Sequence, residues 1–256
     1  SWEYLRSRSI AGLIPLLAVA SFSVDTVEKL PLLNVKEDLK WLTSERVKPT
    51  WLSKNFVLWH NDRTLFAVVP EENLRRICEY LFDEEEFLSP HGIRSLSKYY
   101  EKNPYSFCEG EDSATLTYSP ADSPVAMFGG NSNWRGPVWM PFNYLLIEAL
   151  QKFGHYYGDS LKVEFPTRSG NWITLWEASL ELEKRLVGLF RRDASGRRPF
   201  NGDVQLFQSD PHWKDLLLFN EYFHGDNGSG VGASHQTGWT AMVLKLLTQL
   251  QRYSTP

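Results

Sequence analysis

The chain has 256 residues, a net charge of -4 and a pI near 5.9, so it lacks the basic field that nucleic-acid binding requires. Its 42% hydrophobic and 23% charged residues give an ordinary globular balance, enough to bury a real core as one domain over 1–256. No membrane segment is expected: the most apolar stretch, Ala11 to Phe22, contains Pro15 and falls short of the roughly 20 residues a span needs.

In chain order, helices are expected at Val24 to Arg46 and Glu71 to Phe82, and the acidic run Asp83 to Glu86 reads as a solvated helix end. From Glu84 to Asn133 the chain reads as loop, with short strands near Ser113 to Tyr118. Val138, Phe142, Leu145, Leu146, Ala149 and Phe153 recur at helical spacing, with Pro137 at the start and Gly154 at the stop. A second helix is marked by Leu175, Trp176, Leu180, Leu186, Val187 and Phe190, with Glu181, Glu183, Lys184 and Arg185 on its wet side. After a short helix at Pro211 to Leu217, Trp239, Val243, Leu246, Leu247 and Leu250 mark a third long one, capped by Ser234 or Thr237. The reading is all-α, with long loops and a few short strands.

The two cysteines, Cys78 and Cys108, provide neither a disulfide framework nor a metal site and read as buried or semi-buried thiols. Aromatic residues make up 14% of the chain, and several stand in glycine-rich, polar loops rather than in apolar runs. Pyranose rings present apolar C–H faces to indoles, so aromatic loops beside carboxylates suit sugar sites. If the helices pair into hairpins around a ring, the loops Trp134-Arg135-Gly136-Pro137-Val138-Trp139 and Ser234-His235-Gln236-Thr237-Gly238-Trp239 open two inner helices at the same mouth.

The segment Leu218-Phe219-Asn220-Glu221-Tyr222-Phe223 leads into the glycine-rich run His224 to Gly230. Glu221 there is either a catalytic carboxylate or a structural one bonding a turn. Trp134, Trp139 and Trp239 are platforms or packing residues. Arg135 needs a carboxylate or a ligand if buried. Gln236 either binds vicinal hydroxyls or caps a helix. Other chemistries fit poorly. Asp226-Asn227-Gly228 lacks the ligand spacing of a calcium loop, and Gly228 to Gly232 lacks a phosphate-binding lysine. His224 and His235 lack a third ligand for zinc, and no serine-nucleophile elbow is present. No cofactor and no metal are expected.

Five ordered segments together resemble glycoside hydrolase family 63, which includes processing α-glucosidases and bacterial relatives acting on small glucosides or mannosides. They are Arg8 to Leu16, Ser89 to Ser97, Trp134 to Trp139, Asn220-Glu221-Tyr222 and His235 to Trp239. The resemblance implies an (α/α)6 toroid, of which this chain is the C-terminal portion, and inverting hydrolysis of an α-linked glucoside. Glu221 matches the family's general base. Trp134, Trp139 and Gln236 match its pocket-lining positions, Arg8 matches a sugar-contacting arginine, and Arg135 and Trp239 fit the same mouth. The family's general acid is an Asp upstream of the Arg8 segment, and Asp25, Asp38 and Asp62 stand in ordinary contexts. The expected partners are therefore an oligosaccharide or small glucoside and the N-terminal remainder of the same polypeptide. The alternative is a non-catalytic carbohydrate-binding or scaffold protein that keeps the pocket without the acid. Compartment stays open, with the cytoplasm as default.

Overall fold

The computed structural model describes residues 6–23, 25–26, 29, 57–60, 62–109, 112–125 and 132–254. The helix expected at residues 24–46 falls outside them, apart from Asp25, Thr26 and Lys29. The fold is helix-rich with short strands, and its core gathers around one long central helix.

After a 3-10 helix at Ile10–Leu17, strand β1 (Val19–Ser23) opens a three-stranded antiparallel sheet with β2 (Val57–His60) and β3 (Arg63–Ala67), in the order β1-β3-β2. The sequence reading contained no such sheet. Its strands are only four or five residues long and show no strict polar–apolar alternation. Helix α1 (Glu71–Leu81) then buries Leu74, Cys78 and Leu81. The acidic run that follows is not uniformly solvated: Asp83 and Glu86 are buried and paired with Arg168 and Arg8, while Glu84 and Glu85 face water. The expected strands near Ser113 form a hairpin of Tyr105–Glu109 with Asp112–Leu116. On it Cys108 is exposed, unlike Cys78.

Helix α2 (Met140–Tyr157) carries the core on Leu146, Ile147, Leu150 and Phe153. It starts with Pro141 in its first turn, later than Pro137, and runs past Gly154 to stop at Gly158. Gly154 is a contact point rather than a terminator. A Cβ there would sit 2.7 Å from the Trp176 backbone nitrogen, so its hydrogen lets the next helix approach closely. Asn143 staples the start of α2 to the neighbouring hairpin: Oδ1 accepts from Ile93 N at 2.6 Å, and Nδ2 donates to Ile93 O at 3.0 Å.

Helix α3 (Leu175–Gly188) begins with a capping box, in which Glu177 N donates to Thr174 Oγ1 at 3.2 Å and Thr174 N donates to Glu177 Oε2 at 2.8 Å. It packs on α2. Glu183, expected on the wet side, instead points into this seam and is 0% exposed. The expected helix at Pro211–Leu217 is a run of turns, and a short helix α4 (Gln205–Ser209) precedes it. The third long helix is broken into α5 (Thr237–Thr240) and α6 (Val243–Ser254). Its N-cap is Gln236, not Ser234 or Thr237, and the cap makes no side-chain bond. No helix among the described residues is long and apolar enough to cross a membrane.

Candidate active site

Three distant segments meet at one place through backbone pairing. Val138 and Phe223 exchange two N–H···O bonds of 2.9 Å, tying the Trp134–Trp139 loop to the strand after Glu221. Tyr222–Phe223 pairs with Gly230–Val231, Glu221 N donates to Ala233 O at 2.8 Å, and Gln236 N donates to Phe219 O at 2.8 Å. The glycine-rich loop is thus folded back so that the α5 entrance lies alongside Glu221.

An aromatic layer fills the junction. Trp134 and Trp139 stack with centroids 4.0 Å apart and planes 5° apart; Tyr222 stacks on Trp139 at 4.6 Å; Trp239 leans on it at 5.5 Å and 55°. Trp139 is the buried centre, 1% exposed, and its Nε1–H donates to Asn133 O at 2.9 Å. Trp134 is half-buried and Trp239 is 39% exposed, so these two form the accessible rim.

The half-buried Glu221 side chain stands next to Tyr222 with both oxygens engaged. Ser132 Oγ–H donates to Oε1 at 2.8 Å, and Ala233 N–H donates to Oε2 at 3.3 Å. Gly232, at φ +71, makes this approach possible, since a Cβ there would fall 2.7 Å from Glu221 Oε2. Gln236 sits beside this strand with its side chain free of any capping bond.

Residues 64–240 match the mannosylglycerate hydrolase MGH1-like glycoside hydrolase domain. The chain belongs to that family. An uncharacterized protein of Saccharomyces cerevisiae is 42% identical over 249 residues, 95% of this chain and 22% of that protein. The mannosyl-oligosaccharide glucosidase of the same yeast is 23% identical over 176 residues, covering 68% of this chain and 15% of the relative. A probable mannosyl-oligosaccharide glucosidase of Schizosaccharomyces pombe is 23% identical over 187 residues, 72% of this chain and 17% of the relative. The chain therefore spans only 15% to 22% of the length of these curated relatives.

The glycoside hydrolase domain places the remaining sequence candidates differently. Arg135 is 1% exposed, and its Nη2 donates to Ser123 Oγ at 2.8 Å. Its Nε has no partner among the described residues, and burial lowers its pKa. Arg8 makes no described contact with Glu221. It pairs with Glu86, covers the Tyr99 ring at 4.2 Å, and lines two cavities of about 310 and 580 Å³ bordered by Tyr80. No described contact joins Arg8 to the aromatic layer.

A second charged centre was not legible in the sequence. Asp226 Oδ1 accepts from Arg94 at 2.9 Å, Tyr118 OH at 3.1 Å and Lys98 at 3.2 Å. Burial works to raise the Asp226 pKa, but Arg94 and Lys98 outweigh it and hold the carboxylate ionised. Burial also depresses both nearby histidines: His224 is lowered against the pull of Asp226, and His91 falls to about 4 with help from Arg185, Arg94 and His224. Both imidazoles are neutral at pH 7. A buried arginine demands a carboxylate, but nothing in the spacing couples positions 94 and 226.

Proposed function

We propose that this chain carries the base half of an inverting α-glucosidase site of the glycoside hydrolase family 63 kind, inside an (α/α)6 toroid completed by upstream polypeptide. The observation that carries this reading is Glu221: a carboxylate held at both oxygens beside an aromatic layer with two accessible tryptophans. In inverting enzymes the base polarises a water and deprotonates it as it attacks the anomeric carbon, while an acid about 6.5–9.5 Å away protonates the leaving oxygen. Glu221 takes the first role. The acid is an Asp upstream of Arg8. Trp134 and Trp239 face the apolar side of the sugar, and Gln236, free of capping, binds its hydroxyls. Trp139 is the buried centre of the platform and Arg135 is packed within the same Trp134–Trp139 loop, while Arg8, bound to Glu86, takes no part in it.

An α-linked glucoside is the substrate we favour, since two relatives are named as glucosidases. Mannosylglycerate, from the family's name, is the comparison substrate. The test uses the full-length protein. Proton NMR of the first-formed sugar shows the β-anomer if the reaction inverts, and an α-anomer overturns the mechanism. Glu221→Gln lowers kcat by about 10²- to 10⁴-fold. A loss of only several-fold removes Glu221 from the role, and sugar binding without turnover by the wild-type protein establishes the non-catalytic alternative.

A further inference from the structure

The plane of a glutamate carboxylate is set by a soft terminal torsion with broad, roughly two-fold preferences. A general base must nevertheless aim one lone pair at its water. Nothing in the Glu221 side chain itself fixes that aim, so the fixing has to come from outside. Two donors provide it from opposite segments: the Ala233 backbone N–H on Oε2 and the Ser132 hydroxyl on Oε1. An ionised carboxylate offers about four lone-pair sites, so one donor on each oxygen leaves acceptor capacity for a water.

Ser132 adjoins a closely bonded residue. The next residue, Asn133, is fully buried. Its Nδ2 donates to Ser119 O at 2.6 Å and also to Ala121 O, its Oδ1 accepts from Arg135 N at 3.0 Å, and its carbonyl accepts from Trp139 Nε1. The hydroxyl that touches Glu221 therefore lies one residue from Asn133, whose carbonyl holds the central indole. The geometry points to Ser132 as a positioning residue for the base, fixing the carboxylate plane relative to the aromatic platform. This rests on Glu221 being the base. Ser132 touches neither sugar nor water in this role. It acts through Glu221.

The test compares Ser132→Thr and Ser132→Val in the full-length protein, hydrolysing an α-glucoside, with Glu221→Gln alongside. Thr and Val have the same shape and differ in the hydroxyl, so a packing defect affects both. The expected result is a kcat for Ser132→Val about 10- to 100-fold below wild type with KM changed less than about 2-fold, while Ser132→Thr stays within about 3-fold of wild type. A slow Glu221→Gln with equal kcat for Thr and Val overturns the positioning role and leaves the base standing. A raised KM with kcat intact in Ser132→Val makes Ser132 a sugar contact and also overturns it. A Glu221→Gln variant of nearly full activity overturns the base reading and this inference with it.

Discussion

Replacing Glu183 by Gln should stabilise the domain at basic pH and leave it unchanged at acidic pH. Glu183 enters the seam of α2, α3 and α6, where Oε1 accepts from Gln151 Nε2 at 2.7 Å and Oε2 has no partner among the described residues. Burial is the main cause that lifts its pKa from 4.5 to about 7; the Gln151 bond opposes it, Glu148 adds to it and Lys245 reduces it. Between these two values the folded state holds a proton that the unfolded chain releases. Stability is thus unaffected by Glu183 below about pH 4.5 and falls as pH rises through about 7. The span corresponds to a loss of about 3 kcal/mol, an upper figure for a group that can relax. Gln keeps the shape, still accepts from Gln151, and brings a donor toward the seam, where Gln249 Oε1 also lacks a partner. Native-state hydrogen exchange of α2 and α3 amides in the full-length protein measures the effect. Corrected for intrinsic rates, the variant should open less often than wild type by a factor of up to about 100 at about pH 8, and about as often as wild type at about pH 4. An equal change at both pH values, or a less stable variant at about pH 8, refutes the reasoning.

Gly154→Ala sets two effects against each other. Helix propensity favours Ala by about 1 kcal/mol, but its Cβ would lie 2.7 Å from the Trp176 backbone and overpacking costs about 1–3 kcal/mol, so the thermal midpoint should fall. In the Arg94–Asp226 centre, Asp226→Ala should cost about 1–3 kcal/mol, because an arginine only 3% exposed loses its carboxylate while keeping its bonds to Tyr118 and to the Glu84 and Leu88 carbonyls. Arg94→Met should cost less, since Asp226 is partly solvated and retains Lys98; thermal unfolding of the two variants checks the order.

What the sequence made readable follows the physics of pattern. α2 and α3 were visible because Phe142, Leu146, Ala149 and Phe153 in the one, and Leu175, Leu186 and Val187 in the other, follow the helical period. Gly154 and Glu183 were misplaced for a shared reason: a pattern shows which face is apolar but not which partner presses on it. The break between α5 and α6 and the turns at Pro211 are set by tertiary packing, which overrides local preference. At the site, Trp134, Trp139 and Trp239 were recognisable as unusual loop aromatics, and the structure brings all three together with Tyr222. Arg8 pairs with Glu86, 78 residues away, a partnership no local motif encodes. Ser132 and Asp226 are ordinary polar residues whose meaning exists only in three dimensions.

The stacked indoles constrain how this domain can diversify. Trp139 is at once the centre of the aromatic layer and a member of the main core, and truncating such a residue costs about 3–5 kcal/mol. That is a large part of the roughly 5–15 kcal/mol by which a domain is stable. Drift at that position is closed to lineages that must keep folding, while the rim at Trp134 and Trp239 stays open to exchange. Under the proposed function, new ligand preferences in descendants of this chain should therefore be written at positions 134 and 239, around an inner indole that does not change.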